Sequence, residues 1–179
     1  LAGVLTGAWR PAGWRGEAVP ASWQHAIAMV DIAARALGVT PKRQAVSYAP
    51  WHPGRCAEFC VDGTVIGHAG ELHPTVCQRF GLPARTAAAE IDLDLLISLA
   101  PRGGDISPIS THPVIKEDVA LVVPEEVTVA DLTDALRSGA GELLESVRLF
   151  DIYRGSQVPE GHKSMAFALR FRAPDRTLK

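Results

Sequence analysis

From Lys163 to Phe171 apolar and polar positions alternate without a break. Met165, Phe167, Leu169 and Phe171 share one parity, and Ser164, Ala166, Ala168, Arg170 and Arg172 share the other. Side chains along a strand change face at every residue, so this stretch predicts a strand with two unlike faces. One face is apolar and needs a cover. The other is smooth, small and basic. In the strand expected over residues 142–153, Phe150 and Ile152 should join the covered face, and Asp151 and Tyr153 the open one. A Gly/Pro-containing turn joins the two strands. Upstream, residues 118–123 read as a strand. Thr128 is placed to cap a helix with Val129, Leu132 and Leu136 on one side, ending at Gly139. The element order of this half is therefore β-α-β-β.

The first half has a different rhythm. Residues 1–9 look like the end of a strand, followed by an irregular Trp/Gly/Pro loop to Pro20. Ser22 is a plausible N-cap for a helix in which Trp23, Ile27, Val30, Ala34 and Leu37 form one apolar stripe, stopped by Gly38. A short strand is expected over residues 44–49, then a turn at His52-Pro53-Gly54. Residues 56–61 and 64–69 alternate as a hairpin around Asp62-Gly63, a type I′ signal. Pro74 can begin a short helix that ends at Gly81, and residues 87–95 read as a strand turning helical. Residues 101–113, PRGGDISPISTHP, hold too many Pro and Gly for a regular element and separate the two patterned regions.

Composition narrows the class. Apolar residues make up 47% and charged residues 21%, which is globular usage. No run approaches the roughly 20 apolar residues of a membrane span, so no membrane partner is expected. Net charge is −2 and gives no global case for nucleic acid. Its distribution does. Residues 103–147 carry two basic and nine acidic residues, whereas residues 148–179 carry seven basic and three acidic. The positive charge gathers on the two strands described first. A flat, cation-rimmed sheet face suits a nucleic-acid backbone. Tyr153 offers a ring for an unpaired base and Asp151 an acceptor for a base edge. Equally, Tyr153 could be a plain surface tyrosine and Asp151 the partner of a nearby arginine.

LFDIYRG, then GHKS, then FRAPDRTL resemble, in order and separation, the C-terminal anticodon-binding domain of the bacterial phenylalanyl-tRNA synthetase beta subunit. Earlier landmarks agree: GVLTG with a following Trp, HPGR-x-A, IG-x-x-GELHP, and E-x-DLD-x-L. The resemblance implies an α+β chain. Residues 1–100 would be the end of a non-catalytic class II synthetase-like antiparallel sheet domain, and residues 101–113 a linker. Residues 114–179 would be a ferredoxin-like domain lacking its last helix and strand. The chain, which starts at Leu1, is expected to be a piece of a longer polypeptide. The family joins phenylalanine to its tRNA using ATP and Mg²⁺ in a cytoplasmic α₂β₂ assembly, with catalysis in the alpha subunit. Expected partners are tRNA(Phe) and that alpha subunit. This piece is expected to hold neither cofactor, metal nor catalytic residue. Asp151, Tyr153, Ser164, Arg170, Arg172 and Arg176 are the expected RNA contacts. The alternative reading is an assembly module that touches no RNA.

Other residue types in the chain could carry chemistry of their own. A class II core binds ATP with a glycine-rich strand and an arginine, yet Glu90, Asp92 and Asp94 occupy the corresponding stretch. Carboxylates there repel a triphosphate. His52, Cys56 and Cys60 are spaced by four, but on a strand that spacing separates Cys56 from Cys60 by roughly 13 Å, too far for one zinc. The three cysteines read as free thiols of a reducing compartment. His73 before Pro74 reads as a helix cap, and Arg55 as the partner of a carboxylate.

Overall fold

The computed structural model describes residues 1–103 and 110–178. The chain divides into two compact units, Leu1–Ile106 and Ser107–Lys179. Residues 104–109 of the expected linker lie outside the described residues.

The first unit contains β1 (Ala2–Leu5), β2 (Ala8–Arg10), β3 (Val19–Pro20), α1 (Trp23–Ala36), β4 (Lys42–Ala45), β5 (Trp51–Val61), β6 (Thr64–Leu72), α2 (Pro74–Phe80), β7 (Ala87–Ile91) and α3 (Leu93–Ser98). Its main sheet is antiparallel with order β1-β7-β6-β5-β4, and β2 and β3 form a separate ribbon. Helix α1 buries Ala26, Val30 and Ala34 against Phe59, Ile66, Ala69, Ala87, Ala89 and Ile91 on one side of the sheet. The other side carries a second cluster, Trp51, Cys56, Leu72, Cys77 and Ala88, to which α2 contributes Cys77. Three successive residues of β7, Ala87 to Ala89, are thus buried on alternate faces. That is the mark of a sheet covered on both sides.

The stripe on α1, the hairpin and the Pro74 helix form where the pattern places them. Asp62 and Gly63 both have positive φ (48° and 80°), as a type I′ turn needs. Gly81 closes α2 in the left-handed region, with φ 65°. Four expectations shift. The first strand is broken between Leu5 and Ala8. The strand expected over residues 44–49 lies at Lys42–Ala45, where it pairs with residues 57–60 of β5. His52-Pro53-Gly54 is no free turn but a bulge inside β5. Trp51 pairs with Leu72 and Cys56 with Gly70, so the intervening residues of β5 outnumber their partners. At that point a Cβ on Gly70 would lie 2.1 Å from the Arg55 carbonyl oxygen, so only glycine fits. Finally, the stretch 87–95 is divided at Asp92, whose carboxylate accepts the Leu95 N–H at 2.9 Å and starts α3.

The second unit is β8 (Ile115–Pro124), α4 (Val129–Ala140), a turn of 3-10 helix (Gly141–Leu143), β9 (Leu144–Tyr153) and β10 (His162–Phe171). The sheet order is β8-β10-β9, antiparallel throughout. This β-α-β-β sequence gives the first four elements of the six in a ferredoxin-like βαββαβ arrangement. The Thr128 hydroxyl accepts the Asp131 N–H at 3.1 Å, and the Asp131 carboxylate accepts the Thr128 N–H at 3.0 Å. This reciprocal box starts α4. The helix runs through Gly139 to Ala140, one residue past its expected stop. Val129, Leu132 and Leu136 then cover Met165, Phe167 and Leu169, the first two of which are wholly buried. No described helix is long and apolar enough to cross a membrane.

Candidate nucleic-acid interface

The face of the β8-β10-β9 sheet turned away from α4 is built in rows. Pairing sets Val122, Ser164 and Tyr153 side by side across the three strands. Next come Ala120, Ala166 and Asp151, then Asp118, Ala168 and Arg148, then Lys116, Arg170 and Ser146. On β10 the even positions from Ser164 to Ala168 are half-buried and Arg170 is exposed, while Lys163, Met165, Phe167 and Leu169 are buried. The expected alternation is therefore present in space. The floor is shallow because alanine and serine supply its centre.

Strand β9 departs from simple alternation. Leu149 pairs with Phe167 on the covered side and Asp151 with Ala166 on the open side, so Phe150 has no partner on β10. It is a bulge, and Phe150 is 50% exposed. The expectation that Phe150 is covered is thereby corrected. Leu149 takes the core position instead, and Ile152, although paired with Met165, is 38% exposed and lies outside the core cluster, so its expected cover is corrected too. A second shift leaves Glu145 unpaired between Leu144 and Ser146.

Four of the six expected contact residues come together on the open face: Asp151, Tyr153, Ser164 and Arg170. Asp151 and Arg170 are exposed, and Tyr153 is 40% exposed. Among the described residues, the Asp151 carboxylate and the Tyr153 and Ser164 hydroxyls have no hydrogen-bond partner. The Tyr153 ring leans over the start of the following turn. A Cβ on Gly155 would lie 2.3 Å from its hydroxyl oxygen and 2.6 Å from Cζ. The absence of a side chain at Gly155 is thus what lets the ring rest where it does.

The other two residues lie elsewhere. Arg172 follows the end of β10, so the alternation that put it on the open face stops one residue short of it. Its Nε donates to Glu145 at 2.5 Å, and its Nη1 to the carbonyls of Ser110 and His112, each at 3.2 Å. That clamp ties the entry of the unit to the bulged end of β9. Arg176 also lies beyond the strand and sits 3.4 Å from its neighbour Asp175, both exposed. Two more cations hold the turn. Arg154 pairs with Glu125, whose carboxyl it holds below the ordinary range, and Lys163 donates to the Glu125 carbonyl at 2.7 Å.

Two basic side chains of the open face were absent from the expected set: Lys116 and Arg148. Lys116 fell outside because β8 begins three residues before the expected strand. Arg148 fell outside because counting back from Phe150 puts it on the covered side. A signal existed. Leu149 and Phe150 are adjacent apolar residues of β9, and that doublet already breaks the alternation.

The first unit holds its polar groups in structural roles. Glu71, only 4% exposed, receives Arg55 at 2.7 Å and lies 3.7 Å from Arg85, so its buried charge is paired. His73 accepts the Thr75 N–H and caps α2. Glu58 accepts from Gln44 at 2.6 Å and lies 3.3 Å from His68, whose ring stacks on Tyr48. The Gln44 hydrogen bond chiefly, with those from Cys60 and His68, holds the Glu58 carboxyl below the ordinary range. Burial, with Glu58 nearby, pushes the Cys56 thiol up to about 11, which leaves it protonated and unreactive at neutral pH. No described group of His, Cys, Asp or Glu is arranged to hold a metal ion. An open cleft is lined by Tyr48, Trp51, His68, Glu90 and Asp92. Its two carboxylates, with no arginine or lysine among the lining residues, do not fit a triphosphate.

Comparison with known proteins agrees with both units. Residues 1–93 match the family described as the phenylalanyl tRNA synthetase beta chain CLM domain, and residues 110–179 match the ferredoxin-fold anticodon binding domain. The phenylalanine–tRNA ligase beta subunit of Cutibacterium acnes is 57% identical over 99% of the chain. Those of Thermobifida fusca and Nocardia farcinica are 53% and 51% identical, also over 99%. The matched part is 21% of the C. acnes protein, 22% of the T. fusca protein and 21% of the N. farcinica protein, so the chain spans about a fifth of these relatives.

Proposed function

Since the chain belongs to the phenylalanyl-tRNA synthetase beta chain family, we propose that it carries the surface on which the ligase docks the anticodon loop of tRNA(Phe). The holoenzyme would use ATP and Mg²⁺ to join phenylalanine to that tRNA in the cytoplasm, with both bound outside this chain and the chemistry done by an alpha subunit in an α₂β₂ assembly. Residues 1–100 would be a silent synthetase-like scaffold that packs against other parts of the enzyme. Residues 114–179 would be the RNA-docking domain. No bond is made or broken by this chain.

One observation carries the reading. Asp151, Tyr153 and Ser164 occupy two adjacent rows of a sheet face that no described helix covers, and their polar atoms are uncommitted within the described residues. An unpaired base stacks on a tyrosine ring whatever its identity, while carboxylate and hydroxyl acceptors and donors read its edge. Arg170 adds a cation to the same face. Arg172 and Arg176 support the fold of the domain and its terminal turn, and their contribution to RNA binding is indirect.

The test is tRNA(Phe) binding by the intact ligase. Tyr153→Ala should weaken it by about 1–3 kcal/mol with the thermal unfolding midpoint little changed. If affinity is unchanged for Tyr153→Ala and for Asp151→Ala alike, the open face is not the docking surface and an assembly role takes its place.

A further inference from the structure

Apart from Arg137 on α4, the described basic residues of the second unit fall into two groups. Arg154, Arg172 and Arg176 each have a carboxylate partner, and Lys163 is held by a carbonyl. Lys116, Arg148 and Arg170 have no hydrogen-bond or ion-pair partner among the described residues. These three share one end of the open face. Lys116 and Arg170 are direct cross-strand partners, and Arg148 lies one row away on β9. Direct partners in an antiparallel pair have Cβ atoms about 5 Å apart, and diagonal neighbours about 7–8 Å. Like charges so placed repel and destabilise the strand pair. Asp118, in the row of Arg148, and Asp151, one row further on, set two carboxylates against the three cations, and neither pairs with any of them. A fold that ties its other nearby cations to carboxylates or carbonyls leaves these exposed and unneutralised, beside a floor made only of Ala168 and Ser146.

We propose that Lys116, Arg148 and Arg170 form a phosphate subsite that holds the RNA backbone at the end of the face remote from Tyr153. The inference rests on the docking function proposed above and deepens it. Arg170 lies six residues along β10 from Ser164, the neighbour of Tyr153, which is about 20 Å of strand. The nucleotide whose phosphate is held is therefore not the one stacked on the tyrosine. Base recognition and backbone grip occupy opposite ends of one surface. Arginine at two of the three positions suits a planar, bidentate hold on phosphate oxygens.

The two functions have separable signatures in the intact ligase binding tRNA(Phe). Removing one phosphate-binding cation should reduce the slope of log affinity against log salt by roughly 0.7. Lys116→Gln, Arg148→Gln and Arg170→Gln should each do so, and the triple variant should lower the slope by about 2. Discrimination against a tRNA with a substituted anticodon base should stay as it was. The charge-retaining triple, K116R/R148K/R170K, should keep the native slope. Arg137→Gln, on α4 behind the sheet, should change nothing. A native slope in the glutamine triple, while Tyr153→Ala still weakens binding, overturns the subsite and leaves the docking function standing. An equally reduced slope in the charge-retaining triple, or poorer base discrimination in the glutamine triple, also overturns it. Silence of both Tyr153→Ala and the glutamine triple removes the docking function and the subsite together.

Discussion

The two units use the same parts, antiparallel strands and a packed helix, and finish them differently. In the first, both faces of the sheet are apolar and both are covered. Ala87 and Ala89 meet α1, while Ala88 meets Trp51, Cys56 and Leu72. In the second, α4 covers one face and the other carries alanine, serine and charge. Small residues therefore mean opposite things in the two sheets. Alanine on β7 lets elements pack closely on either side. Alanine on β10 keeps the floor of an uncovered face low, which is what the proposed docking surface requires. Burial, not residue type, separates the two uses.

Enlarging one alanine in each sheet gives the widest contrast. Ala88→Leu should overpack a filled layer and cost about 1–3 kcal/mol of stability, read from denaturant unfolding of the intact protein. Ala166→Leu should leave stability nearly unchanged, because its half-buried side chain lies on a face that no described helix covers, and should instead reduce tRNA binding by obstructing the floor. Similar stability losses in both would mean that the second face is covered too. A smaller effect is expected at Gly155. Gly155→Ala displaces the Tyr153 ring, so it should weaken tRNA binding by less than Tyr153→Ala does. In the Tyr153→Ala background it should add almost nothing, since residues that act through one another are non-additive. A full additional weakening would make the glycine a structural residue only.

The smallest effect belongs to the first unit. The folded state holds the Glu58 carboxyl below its ordinary value of 4.5. The folded form thus prefers the ionised group. Its contribution is complete above pH 4.5 and is lost as pH falls through the folded value. Glu58→Gln should flatten that acid limb of a stability–pH curve by well under 1 kcal/mol, and Gln44→Ala should do part of the same. No variant of the open face should alter the acid limb in this way through Glu58.

Much of this was legible from the chain. The parity of Met165, Phe167 and Leu169 identified the covered face. Asp62-Gly63 identified a hairpin, and His73-Pro74 with Gly81 identified a capped helix. These features depend on residues close in sequence. What escaped depended on counting or on distance. A period-of-two reading assumes no inserted residue, so Phe150 was misplaced, and turn chemistry alone could not tell the HPG bulge inside β5 from a free turn. The Arg172–Glu145 pair joins residues 27 apart, and no local pattern announces it. Charge density pointed to β9 and β10, yet several of those cations are already engaged within the domain. Lys116, in the acidic half, stands among the uncommitted ones.

The irregularities of β9 also set how the strand tolerates changes of length. Removing one residue from a regular strand transposes everything beyond it to the wrong side. Phe150 and Glu145 are already supernumerary, so losing either would restore even counting and leave inward and outward side chains where they belong. Evolution, or an engineer trimming this hairpin, has those two positions at which a codon can disappear without turning the sheet inside out.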